Sequence, residues 1–181
     1  RDLNLIDATF GGGGYSKAIL EEFNIKNLLA IDRDPTAKIF YNELKKRFKN
    51  IELCNEKFSK IDEIIKKSKF SKINFDVIIF DLGVSSNQID NPDRGFSFQN
   101  EGPLDMKMGS STLNAYEIVN SFDETKLADI FFQFGEEKHS RKIAKNIIKN
   151  RAIKPIENTI ALSDIVIKSV PFSNSKNKIH P

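Results

Sequence analysis

Cysteine occurs once in these 181 residues, as Cys54, and histidine twice, as His139 and His180. One thiol excludes an internal disulfide and any zinc or iron–sulfur site built from several cysteines. Two histidines far apart in sequence argue against a histidine-built centre, so no metal is expected. Long hydrophobic runs are missing too: nothing approaches the ~20 apolar residues of a bilayer span. The opening Arg1-Asp2-Leu3-Asn4 does not read as a signal peptide. A soluble, cytoplasmic chain is therefore expected, with no membrane partner. Acidic residues are missing from one stretch. Lys138 to Lys154 holds seven basic side chains and no carboxylate, whereas the whole chain carries only +3. The remainder is thus slightly acidic, and it is this asymmetry that bears on partners.

Against these absences stand 39% hydrophobic and 29% charged residues, a globular balance. The length suits one domain, or one domain carrying an insertion. Leu3-Asn4-Leu5-Ile6-Asp7 reads as a strand that breaks at Thr9-Phe10-Gly11. Tyr15 to Phe23 reads as a helix, with Ala18, Ile19 and Phe23 at helical spacing. Leu28 to Asp32 is a second strand, and Pro35 opens a helix running to about Lys49. Ile51 to Cys54 is a third strand, Ile61 to Lys67 a third helix, and Asp76 to Asp81 the clearest strand of all. Strands alternating with longer helices predict parallel pairing in a doubly wound α/β sheet. Residues 83–109 are rich in Gly, Ser, Asn, Asp and Pro without a sustained period, which predicts a long functional loop. From Leu113 onward the pattern is helical, over 115–120, 124–134, 136–151 and 159–170, and no strand follows. That predicts a small all-helical insertion.

Gly11-Gly12-Gly13-Gly14 joins the first strand to the first helix. Glycines let a ligand approach the backbone closely, and a helix N-terminus offers free N–H donors. The bland alternative is a flexible turn. Ser16 stands where the dinucleotide fingerprint needs its third glycine, and also where the phosphate-binding loop needs glycine before Lys17. What survives is a nucleoside-type cofactor without a pyrophosphate. Asp32 ends the second strand, where a carboxylate can accept both hydroxyls of a ribose. It can also cap the next helix, a task that suits Asp34 better. Glycine turn plus ribose acid, without phosphate recognition, points to S-adenosylmethionine. Asp81 ends the fourth strand, placed to hold a cofactor amino group or a substrate amine, or simply to shape a turn.

Five segments in order then carry a resemblance. They are Asp7-Ala8-Thr9-Phe10-Gly11-Gly12-Gly13-Gly14-Tyr15-Ser16, Ala30-Ile31-Asp32-Arg33-Asp34-Pro35, Asp81-Leu82-Gly83-Val84-Ser85-Ser86-Asn87-Gln88, Arg94-Gly95-Phe96-Ser97-Phe98, and Gly102-Pro103-Leu104-Asp105-Met106-Lys107-Met108. Together they resemble the bacterial small-subunit ribosomal RNA methyltransferase H family, also called the MraW family. Phe134-Gly135-Glu136-Glu137 and the closing Lys178-Ile179-His180-Pro181 are similar as well. The resemblance covers essentially the whole chain. It implies a Rossmann-like methyltransferase sheet, S-adenosylmethionine as cofactor, and methyl transfer to the N4 amine of a decoding-centre cytidine in 16S rRNA of the 30S subunit. Carried over by position, the family's cofactor contacts fall on Gly13, Gly14, Tyr15, Asp32, Phe58, Asp81 and Gln88. Phe58 has a second reading as a core aromatic. Gly12 often holds a larger basic residue in the family and Tyr15 a histidine, so no role that needs an imidazole is available at Tyr15.

The family usually has a segment before the first strand and three more strands after the position of Pro181. The chain is therefore expected to be shortened at both ends. Residues 1–109 would be the first part of the methyltransferase domain, with its active-site loop at 83–109, and residues 110–181 the helical insertion. A remnant that keeps only cofactor or RNA binding is the alternative; an NAD-type oxidoreductase is disfavoured by the broken fingerprint. The oligomeric state stays open, a homodimer included.

Methylating a cytosine N4 is difficult because its lone pair is delocalised into the ring. A site must polarise an N–H while holding the amine in line with the methyl group. Asp81 is the candidate acceptor, and no catalytic base is assigned. Phe96 and Phe98 either hold the face of an unstacked base or anchor the loop to the core. Lys138, Arg141, Lys142, Lys145 and Lys149 recur at spacings of three and four, on one face of a helix whose Ile143, Ala144 and Ile147 point elsewhere. Alone such a face is merely solvated; with an RNA substrate implied it is a phosphate-binding surface.

Overall fold

Successive strand residues face opposite ways, and in this sheet both directions lead into a core. The computed structural model describes residues 2–109 and 111–170. Four parallel strands, β1 (Leu3–Asp7), β2 (Ile25–Ile31), β3 (Ile51–Cys54) and β4 (Val77–Ile79), lie in the order β3-β2-β1-β4. Leu5, Leu28, Ala30 and Ile51 pack with Ala37 and Leu44 of α2 (Ala37–Arg47) and with Ile19 and Leu20 of α1 (Gly14–Glu22). Their neighbours Ile6, Leu29 and Ile31 pack on the other side with Ile64 of α3 (Ile61–Lys67) and Phe70. Apolar residues on both faces of a parallel sheet are what a doubly wound, Rossmann-like α/β fold requires. Strand order reverses between β1 and β4, so the crevice that such folds use for ligands opens at the carboxyl ends of those two strands.

The fourth strand is shorter than the expected Asp76 to Asp81. Asp76 N donates to the Asn4 carbonyl at 2.9 Å, and Ala8 N to the Ile79 carbonyl at 2.9 Å. Beyond Ile79 the ladder ends: Asp81 N donates to the Thr9 hydroxyl at 2.7 Å instead of to a backbone carbonyl. Among the described residues β4 pairs on one side only, and Val77 and Ile78 are exposed.

Of the described residues, 2–87 with 108–109 form one unit, and 88–107 with 111–170 form the other. The expected closing motif Lys178-Ile179-His180-Pro181 lies outside the described residues. Two expectations about the second unit are corrected. The stretch 83–109 is not all loop: it contains the five-residue helix α4 (Ser86–Asp90) and a 3-10 turn at Pro92–Arg94. Nor does most of it stay with the sheet. Leu104 is buried among the helices, Thr159 N donates to the Gly102 carbonyl at 2.9 Å, and Gly102 N to the Thr159 hydroxyl at 3.2 Å. Residue 104 thus supplies a core side chain that sequence period alone does not reveal.

Three of the four remaining helices begin at a side-chain cap. Asn114 and Glu117 form a reciprocal capping box at α5 (Ala115–Ser121). Asp123 caps α6 (Glu124–Gln133), and Asn158 caps α8 (Thr159–Ser169). The helix expected from Glu136 starts later, as α7 (Ser140–Arg151), because Glu136 takes φ +52° and interrupts the turn. Leu127 and Ala128 of α6, Ile143, Ala144 and Ile147 of α7, Val119 and Ile165 make one core. Arg151 fastens the end of α7 by donating to the Val119 carbonyl at 2.7 Å. Ile147 is fully buried at the centre of this core. Ile147→Ala is expected to destabilise the chain by about 2–5 kcal/mol in urea unfolding, through lost transfer energy and an unfilled cavity.

Candidate functional site

The turn after β1 is built around a buried carboxylate. Asp7 is 2% exposed; its Oδ2 accepts from the Ser16 hydroxyl at 2.6 Å and its Oδ1 from Thr9 N at 3.2 Å. Ser16, fully buried, lies in the first turns of α1, so Asp7 ties the helix start to the strand end. Thr9 continues the chain of bonds by accepting from Asp81 N. Burial holds the Asp7 carboxyl above the ordinary 3.8, and the Asp32 and Asp81 carboxylates push it the same way; the Ser16 and Thr9 bonds oppose the rise.

Gly13 caps α1 with φ +74°, and a Cβ there would lie 2.7 Å from the Phe10 ring, so only glycine fits. Gly13 N donates to the Phe10 carbonyl at 2.7 Å, and Phe10 N to the Ile31 carbonyl at 3.0 Å. The turn is therefore fixed to β2. Gly14 has open space where its Cβ would be, and Tyr15 beside it is 59% exposed.

Asp32 meets this turn from the tip of β2. Its Oδ2 accepts from Gly11 N at 2.6 Å and its Oδ1 from Asp34 N at 2.7 Å. The N-cap of α2 is Thr36, without a side-chain cap bond, and Asp34 shapes the turn before it: its Oδ1 accepts from Thr36 N at 3.0 Å and from the Thr36 hydroxyl at 2.7 Å. A carboxylate offers about four acceptor positions, so two backbone bonds leave Asp32 with capacity for further hydroxyls. Asn55 secures the same corner, donating to the Asp32 carbonyl at 2.8 Å. Next to it lies an open cavity of about 350 Å³ lined by Arg33, Pro35, Asn55, Glu56, Lys57 and Gly109. Gly109, at φ +67°, comes so close to the Arg33 carbonyl that any side chain there would collide with backbone.

The structure thus gathers Gly13, Gly14, Tyr15, Asp32 and Asp81 at the carboxyl ends of neighbouring strands. Phe58 lies just past β3, 40% exposed, its ring edge-on to Phe80 with centroids 5.5 Å apart. It is therefore not the core aromatic of the alternative reading. Gln88 is buried in α4 and belongs to the helical unit. Phe96 and Phe98 also belong there: Arg94 lies over the Phe96 ring at 5.7 Å, while Phe98 is exposed. Arg141, Lys142, Lys145 and Lys149 are exposed on α7, opposite the buried Ile143, Ala144 and Ile147. Lys138 is exposed too, but in the turn before α7 and not on its face. Sequence reasoning missed Asp7, Thr9 and Ser16. The available signal was an acid closing an apolar strand nine residues before a small hydroxyl residue on the following helix. Among the described residues, no group of three or more His, Cys, Asp or Glu is placed to hold a metal ion, and no helix is long and apolar enough to cross a membrane.

The model of the MraW methylase family matches residues 1–181. The chain belongs to this family. Similar proteins share the description "Ribosomal RNA small subunit methyltransferase H". One from Wolbachia sp. subsp. Drosophila simulans is 49% identical over 97% of this chain and 59% of its own length. One from Ehrlichia canis is 46% identical over 97% and 59%, and one from Caldicellulosiruptor saccharolyticus is 45% identical over 92% and 54%. The chain spans less than two thirds of these relatives.

The raised pKa of Asp7 fixes the sign of a pH effect. A carboxyl that holds its proton more tightly when folded costs stability once ionised; the cost is relieved as pH falls through the raised value towards 3.8. Urea unfolding of wild type and Asp7→Asn, compared from neutral pH downward, should show wild type gaining on the variant through that window. Contributions common to both proteins cancel. Parallel curves would mean that Asp7 titrates ordinarily.

Proposed function

We propose that this chain is the cofactor-binding and RNA-facing part of an S-adenosylmethionine-dependent methyltransferase of the small-subunit ribosomal RNA, acting on the N4 amine of a cytidine in the decoding centre of 16S rRNA within the 30S subunit, in the cytoplasm. The observation that carries the reading is Asp32, bonded to Gly11 N and keeping free acceptor positions at the tip of β2. S-adenosylmethionine would bring an electrophilic methyl group on a sulfonium sulfur. The residues present fit it: the fixed glycine turn leaves open space at Gly14, the Asp32 carboxylate suits a ribose diol, and there is no phosphate-binding signature to satisfy.

In this reading Gly13, Gly14 and Tyr15 line the cofactor's amino-acid end, Asp32 accepts the ribose hydroxyls, and Phe58 lies against the adenine. Asp81, whose backbone is held by Thr9, accepts an N–H from the cofactor or from the target amine. Gln88 joins the set through the family resemblance. The chain's own contribution to rate is orientation and acceptance of an N–H bond as the amine attacks. The exposed cations of α7 carry the RNA phosphates.

Calorimetry with S-adenosylmethionine tests the first half. Asp32→Ala, confirmed folded by circular dichroism, is expected to weaken binding by about 1.5–3 kcal/mol, roughly ten- to hundredfold in Kd. An unchanged Kd would take Asp32 out of the site. The second half is read from salt dependence. Replacing Arg141, Lys142 and Lys145 by Gln should weaken binding to all RNA sequences alike. The log–log salt slope should flatten by roughly 0.7–0.9 for each phosphate that is no longer neutralised.

A further inference from the structure

Thr9 stands where the first strand changes partners. Ala8 N donates to the Ile79 carbonyl of β4, and Phe10 N donates to the Ile31 carbonyl of β2. Between them Thr9 N donates to the Asp7 carboxylate, so the backbone of Thr9 is held on both sides and at its own amide. The hydroxyl carried on this fixed backbone accepts from Asp81 N at 2.7 Å. A side-chain oxygen thus takes the place of a strand carbonyl, just where β4 leaves the sheet after Ile79.

The segment that follows Asp81 folds back over the glycine turn. Ser85 Cβ lies 3.5 Å from where a Gly11 Cβ would be, and the Asn87 amide crowds the place of a Gly12 Cβ. Asp81 itself is exposed, and among the described residues no hydrogen bond or ion pair reaches its carboxylate. Asp7 lies within electrostatic reach of both Asp32 and Asp81, and no cation is paired with any of the three among the described residues. The crevice therefore carries surplus negative charge, which favours a cation.

We propose that Thr9 is a positioning residue for the cofactor's amino-acid end: its hydroxyl sets the Asp81 carboxylate to receive the ammonium group there. The inference rests on the reading of the site as one for S-adenosylmethionine and adds a residue that acts only through Asp81. In that reading Asp32 takes the ribose and Phe58 the adenine, so the ammonium is the cationic N–H donor left for Asp81. A loose surface carboxylate gains little from a cation. One held in place beside a fixed turn can form a charge-assisted hydrogen bond, which is stronger.

Calorimetry with S-adenosylmethionine and with 5′-methylthioadenosine, which lacks the amino-acid end, tests this. Thr9→Val has nearly the same shape without the hydroxyl. It should weaken S-adenosylmethionine binding by about three- to tenfold and leave methylthioadenosine at the wild-type Kd. Thr9→Ser keeps the hydroxyl and should restore wild-type affinity. Circular dichroism checks each fold, and Thr9→Ala is read by the same criteria should the valine variant not fold. A Thr9→Val chain that binds S-adenosylmethionine like wild type, or that loses both ligands in equal proportion, would overturn the positioning role while leaving the cofactor site standing. A serine variant as weak as valine would do the same. A wild-type chain that binds neither ligand would remove the cofactor reading itself.

Discussion

The carboxyl edge of the sheet depends on one buried carboxyl group. Asp7 is buried with no cation paired to it among the described residues, and its two oxygens are held by a hydroxyl and a single backbone N–H. Burying a carboxylate in this way is costly, and two more carboxylates nearby add to the cost. The return is geometric. Asp7 sits where the strand order reverses, between the first turns of α1 and the end of β4, and through Ser16 and Thr9 it fixes both. Four consecutive glycines would otherwise leave that junction with more conformational freedom than any other residues could.

The other anchors act on the same four residues. Asp32 takes the Gly11 N–H from β2, and the Phe10 ring lies under Gly13. A turn rich in glycine is thereby held from three directions, by β1, β2 and the ring beneath it. These contacts order the turn while leaving open space at Gly14, and a segment ordered in advance lowers the ordering cost of any binding. The helical unit solves a different problem. Its core is closed by Leu104, from a segment with no regular structure, stitched at Gly102 to the start of α8. A long connection of this kind is ordered because it contributes to a core, not because it has a period of its own.

That contrast explains what was legible in the sequence. Alternating pairs such as Leu5 and Ile6, or Leu28 and Leu29, sort to opposite faces as a two-sided parallel sheet demands, so strands and fold class could be read from composition and spacing. Helix starts were readable where a cap residue sits next to the apolar period, as at Asn114 and Asn158. They were not readable at Glu136, where a positive φ breaks a pattern that looks continuous. Five residues of α4 are too few to show a period. Asp7 was hidden because an acid at a strand end looks like any other strand-tip acid until burial separates it from Asp32.

The sequence sets a ligand role for Asp32 against a structural one as though only one could hold. Under the proposed function the two roles are compatible. Both oxygens already accept backbone N–H groups, one from the glycine turn and one from the segment that opens α2. Those bonds orient the carboxylate and leave acceptor positions over, so the structural work is what aims the group. The same bonds make the tip of β2 and the glycine turn a single unit: a ligand that pulls on Asp32 also pulls on Gly11. Tight binding at such a corner requires that Gly11 keep its place, and Gly11 keeps its place through Asp32 and, across β1, through the buried Asp7.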